Sequence, residues 1–157
     1  MCGIFDGDYR VITCPVRFRE DWLIIEDAAR FFFGPGTTFT SLREVRLCDA
    51  HGESAGDIDF VLVSLDDQGN ILDFGALEVQ AVYISGNVSK PFHYYIQNRT
   101  KSYDFAWKNR IRPDYLSLSR KRLVPQLIYK GRILTEWNKK LAVAIQDSFY
   151  ATLPTLR

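Results

Sequence analysis

The sequence has no long apolar run. Its 157 residues contain nothing near the roughly 18 consecutive apolar residues a spanning helix needs, which excludes a helical membrane protein. It opens MCGIFDGDYR, without the basic start and apolar stretch of a secretory signal, so a cytoplasmic protein is expected. Cysteine is scarce and odd in number: Cys2, Cys14 and Cys48. Three thiols without an export signal argue against a disulfide framework and for a reducing compartment. Internal repeats and low-complexity tracts are absent as well. What is abundant is apolar: 46% of residues are hydrophobic and 14% aromatic, enough for one domain with a real core and too much for disorder.

The net charge of +1 hides an asymmetry. Residues 1–98 carry 7 Lys/Arg against 15 Asp/Glu, a balance of −8, whereas residues 99–157 carry 13 against 4, a balance of +9. Such halves can be ordinary solvated surfaces. Here the basic half is interleaved with Tyr103, Trp107, Tyr115 and Tyr129, which suits phosphate contact and stacking on sugar or base.

Periodicity organises the chain. FREDWLIIEDAARFFF sets Phe18, Trp22, Ile25, Ala29 and Phe32 at helical spacing, with Glu20 and Asp21 near the helix start, and GPG at 34–36 ends it. SLREVRL, IDFVLVSL and the stretch containing GALEVQAVY read as three strands joined by the turns DAHGESAGD and DDQGN, an antiparallel meander. FHYYIQN predicts a short helix, and RPDYLSLSRKRLVPQLIYKGRIL a longer one with Pro125 in its first turn. KKLAVAIQDSF supplies a last buried strand. The expected class is α/β in the order α-β-β-β-α-β, with a mixed central sheet flanked by helices.

The third strand poses the chemical question, because it carries Glu78 and Gln80 among residues that should be buried. Residues i and i+2 of a strand share a face, about 6.5–7 Å apart, so Glu78 and Gln80 project together, opposite Leu77, Val79 and Ala81. On the neighbouring strand Asp57 and Asp59 are expected to share a face. Carboxylates gathered on a sheet repel one another and resist desolvation unless a cation compensates them. Hard oxygen donors without His or Cys nearby favour Mg²⁺ over zinc. A plainer outcome is also open, in which Asp57 caps a turn, Glu78 pairs with a lysine and nothing binds.

Asp59, then Glu78-Val79-Gln80 across a hairpin, resembles the layout of the PD-(D/E)xK nuclease superfamily, with Gln where Lys is usual. More specifically, TCPVRFREDWLIIEDAARFFFGPGT, SLREVRL, SAGDIDFVLVS, DFGALEVQAVYISGN, RPDYLSLSRKRL and PQLIYKG resemble the catalytic core of NotI-type type II restriction endonucleases. The resemblance implies a restriction-endonuclease-like fold and Mg²⁺-assisted, sequence-specific hydrolysis of double-stranded DNA by a homodimer. It implies that Asp59 and Glu78 hold the ion and that Gln80 completes the active set, with Asp57 a competitor of Asp59 and Glu44 a further candidate. Gln can orient a water or a phosphate oxygen but brings no positive charge. Arg120, Lys121 and Arg122, following Ser117 and Ser119 at an expected helix start, are candidates for the DNA backbone.

Family members also carry a four-cysteine Fe or Zn site. Cys14 and Cys2 fit two of its ligands, and two thiolates do not close a tetrahedral site. Cys48 is expected to be a packed thiol. Residues 1–14 are therefore expected to be a loosely ordered remnant of the cysteine region, and residues 15–157 a nuclease core cut short at its C-terminus. The rival to an active nuclease is a degenerate DNA-binding remnant that does not cleave.

Overall fold

Two short strands, β1 (Gly3–Asp6) and β2 (Tyr9–Ile12), open the chain as a hairpin turned at Gly7, whose φ of 59° suits glycine. The structure, a computed structural model, describes residues 3–86, 89–99 and 111–154. Within residues 1–14, where a loose remnant is expected, the described hairpin packs on the rest of the chain. Val11 is buried with Val82, Leu118, Leu123 and Phe149. The Gln146 carboxamide bridges the docked strand, accepting from the Ile12 N–H at 2.7 Å and donating to the Arg10 carbonyl at 2.6 Å.

A 3₁₀ segment, Pro15–Trp22, leads into α1 (Leu23–Phe33). The helix thus starts later than the apolar spacing suggests, and Glu20 and Asp21 lie outside it. Asp21 and Trp22 take left-handed backbone, φ 53° and 57°. That turn brings the Trp22 ring edge-on to Phe60 at 6.4 Å and under the Arg43 guanidinium at 4.7 Å. A tertiary contact has overridden helical periodicity here.

The meander follows as expected: β3 (Phe39–Cys48), β4 (Ser54–Leu65) and β5 (Ile71–Gln80), each antiparallel to the one before. Next come β6 (Ile84–Ser85), α2 (Ser89–Gln97) and β7 (Arg112–Pro113). Tyr103 and Trp107 of the basic half lie outside the described residues. Helical backbone then runs unbroken from α3 (Tyr115–Leu118) through a π turn, Ser119–Leu123, into α4 (Val124–Glu136). Pro125 stands in the first turn of α4 but inside this longer helical run. The π turn sits just before it, where the missing proline N–H and the ring would disrupt an α ladder. β8 (Leu141–Ile145) and α5 (Asp147–Tyr150) close the described chain.

The central sheet has the order β3-β4-β5-β8, and β8 is parallel to β5, which makes it mixed. Alternation splits its side chains between two layers. Phe60, Leu62 and Leu77 meet Ile25, Ala28, Ala29 and Phe32 of α1. Val61, Val63 and Ala76 meet Ile133 and Leu134 of α4 on the other face. Both faces are covered, so β4 and β5 read as near-continuous apolar runs. Gly75 lets α1 approach: a Cβ there would lie 2.6 Å from the Phe32 ring. Among the described residues, no helix is long and apolar enough to cross a membrane.

Candidate active site

The site grows out of a place where two strands part. The registered pairing of β4 with β5 ends at Phe60 and Leu77. Two residues further along β5, the Val79 N–H finds the Asp59 carboxylate instead of a strand carbonyl, with Oδ2 accepting at 2.7 Å. This satisfies a backbone donor that the parting strands would otherwise leave unpaired and fixes the carboxylate of Asp59. From Ile58 to Ser64 every residue of β4 is buried except Asp59, which is half-buried.

The alternation of β4 breaks at this point. Ile58 packs on the α4 side and Phe60 on the α1 side, although two residues apart on a strand should share a face. On β3, Glu44 lies between the registered pairs Arg43–Phe60 and Val45–Ile58, opposite Asp59, and takes a left-handed φ of 52°. Left-handed backbone at a non-glycine residue inside a strand is costly and marks a locally imposed geometry.

Glu78 follows the expected alternation. Leu77 and Val79 pack toward α1, and Ala76 packs toward α4. On the α4 face Glu78 meets Lys130, whose Nζ donates to Oε1 at 2.7 Å and to the Asp57 carbonyl at 2.7 Å. Glu78 is 6% and Lys130 3% exposed, so this is an ion pair out of water. Burial pushes the Glu78 carboxyl above its usual value; the Lys130 hydrogen bond and charge pull it back, and the neighbouring Asp59 carboxylate pushes it up again. Asp59 and Glu78 are therefore close enough to feel each other, from adjacent strands.

The other candidates are placed differently. Asp57 neither joins Asp59 nor caps a turn: its carboxylate is exposed and bound to Arg46 Nε at 3.3 Å. The break in alternation separates the two aspartates. Glu44 shares the level of Asp59 in the sheet, yet among the described residues no three His, Cys, Asp or Glu side chains converge as a metal cluster. Gln80 is half-buried, and its Nε2 donates to the Ala81 carbonyl at 2.9 Å. Cys14 and Cys48 are half-buried free thiols, and Cys2 lies outside the described residues.

Arg120, Lys121 and Arg122 are exposed, but they occupy the π turn rather than a helix start. The helical run begins at Tyr115, where Asp114 caps it by accepting from the Ser117 N–H at 3.0 Å. The backbone donors of the basic triplet therefore lie within the helix, and only its side chains can meet phosphate. Arg122 stacks over Tyr83 at 4.7 Å, and with Lys121, Ser85 and Ser117 it lines a cleft of about 330 Å³ just beyond the end of β5.

Lys130 was not singled out from the sequence. The signal was present, since Leu123, Leu127, Lys130 and Leu134 fall on one helical stripe, and a lysine on an apolar stripe needs a buried partner. A family model described as restriction endonuclease NotI matches residues 5–157. Comparison with curated proteins finds no match.

Proposed function

The chain belongs to the NotI restriction endonuclease family, and from that premise we propose that it hydrolyses DNA phosphodiester bonds at a specific sequence using Mg²⁺ held by Asp59 and Glu78. The observation that carries this reading is the placing of Asp59, held by the Val79 N–H, on the strand next to Glu78 where β4 parts from β5. The donor set suits the ion. Mg²⁺ commonly takes one or two carboxylates and completes its shell with water and substrate phosphate, so a third protein carboxylate is not required. When bound, it lowers the pKa of a water and draws off charge on the phosphate. We read the mixed sheet, with this pair of residues on adjacent strands, as a PD-(D/E)xK plan.

Asp59, fixed by the Val79 N–H, would offer its remaining oxygen lone pairs to the ion. Glu78 contributes from the facing strand. Gln80, whose amide nitrogen is engaged by the Ala81 carbonyl, has its Oε1 as an acceptor for the attacking water. Arg120, Lys121 and Arg122 contact the DNA backbone, and a homodimer presents two such sites to the two strands. The decisive experiment is incubation with supercoiled plasmid and phage genomic DNA. Discrete Mg²⁺-dependent fragments support the reading, and intact DNA at every metal concentration overturns it.

One observation favours a second reading, a DNA-binding protein that does not cleave. The Glu78–Lys130 pair satisfies both charges without any ion, as the plainer sequence outcome had it. Retention of DNA on a filter without cleavage in Mg²⁺ or Mn²⁺ would establish it.

A further inference from the structure

We propose that Lys130 is a positioning residue of this metal site, supplying from α4 the positive charge that Gln80 does not supply from β5. The inference rests on the nuclease reading above. Lys130 and Glu78 lie 52 residues apart in the chain and meet at 2.7 Å, with the lysine almost wholly out of water. Stability alone does not account for such a pair, because a buried ion pair is on balance no better than well-packed apolar residues of similar volume. An apolar side chain would continue the stripe of Leu123, Leu127 and Leu134 without a break.

The placement has chemical consequences. By engaging Oε1, Lys130 fixes the rotation of the Glu78 carboxylate and leaves Oε2 for another partner. Its second hydrogen bond, to the Asp57 carbonyl, ties the same ammonium to β4 two residues before Asp59. One cation therefore braces both strands at the point where they part. It also offsets the repulsion between Asp59 and Glu78 before an ion arrives. Gln80 lies on the same face as Glu78 two residues on, so a lysine placed there could reach the same carboxylate.

The test compares wild type, Lys130→Met, and Lys130→Met with Gln80→Lys. It reads single-turnover cleavage at saturating Mg²⁺ and, separately, Mn²⁺ affinity by calorimetry without DNA. Lys130→Met should lose about tenfold or more in cleavage. Its Mn²⁺ affinity should shift by about tenfold from wild type, since a charge beside the ion is gone. The double variant should regain most of the cleavage and return to wild-type Mn²⁺ affinity. A lysine needed only for packing would not be replaced from the strand.

A folded Lys130→Met protein with wild-type cleavage and Mn²⁺ affinity overturns the proposal. So does a folded double variant no better than the single one. Should Lys130→Met fail to fold, the double variant decides alone: cleavage supports the role, and a protein that is inactive or unfolded overturns it. Wild type and Glu78→Gln run alongside. A wild type without Mg²⁺-dependent cleavage, or an active Glu78→Gln, overturns the nuclease site and the role of Lys130 with it. Failure confined to the lysine variants leaves the nuclease reading standing.

Discussion

Glu78 is held between two demands. It is buried enough that water cannot stabilise its charge, and it faces both Lys130 and Asp59. Truncation to alanine would leave Lys130 buried without its counter-ion, at about 3–5 kcal/mol of stability. Glu78→Gln is the cleaner probe because it keeps shape and a hydrogen-bond acceptor. We expect it to lower cleavage by at least about 100-fold while DNA affinity in Ca²⁺ changes little. Gel-based cleavage and fluorescence anisotropy check the two halves of that expectation, and an active variant would remove Glu78 from the metal set. Asp57 provides the contrast. Its exposed pair with Arg46 is of the kind that contributes at most about 1 kcal/mol, so Asp57→Asn should leave cleavage within about threefold of wild type.

At the scale of elements, α1 rests on β5 through one close approach. A methyl group at residue 75 would overlap the Phe32 ring at 2.6 Å, and neither the helix nor the covered strand can yield freely. Gly75→Ala should therefore destabilise by about 1–3 kcal/mol, read as a lower urea midpoint with unchanged slope. A variant as stable as wild type would mean that α1 sits further from the sheet. The π turn offers a different test. Its three basic side chains are exposed on one turn beside the cleft at Tyr83. Replacing Arg120, Lys121 and Arg122 with alanine should reduce the slope of log affinity against log salt by up to about 2.7 if all three meet phosphates. An unchanged slope would place the DNA elsewhere.

Across the whole molecule, carboxylates are shifted in opposite directions, and each shift ties stability to pH in its own sense. The Lys139 hydrogen bond holds Asp73 below its usual 3.8. Its contribution is therefore present above that value and is lost as pH falls through the lower folded-state value. Glu78 is raised, so its contribution is full below the usual glutamate value and is lost as pH rises through the raised one. Asp73→Asn should be less stable than wild type at pH 7, and the gap should narrow as pH falls toward 3. Urea unfolding at the two pH values checks this; a gap that widens in acid would contradict the shift assigned to Asp73.

Much of this was legible in the chain itself. The meander and the placing of Glu78 opposite Leu77 and Val79 follow from local alternation, because a strand's period acts residue by residue; the last strand follows from its apolar run, although it is half-buried rather than buried. The pairing of an acidic first half with a basic second half, and the family, are likewise matters of sequence. Tertiary structure decided the rest. Trp22 turned back to meet Phe60 and Arg43, which moved the start of α1, and the helical run capped by Asp114 begins before the helix start expected at Ser117 and Ser119. Asp57 and Asp59 parted because β4 breaks its alternation opposite Glu44, a distortion set by the neighbouring strand rather than by local pattern. Lys130 reached Glu78 because α4 packs across the sheet from it. Periodicity says which residues turn inward, but which charges then meet depends on how the layers are stacked.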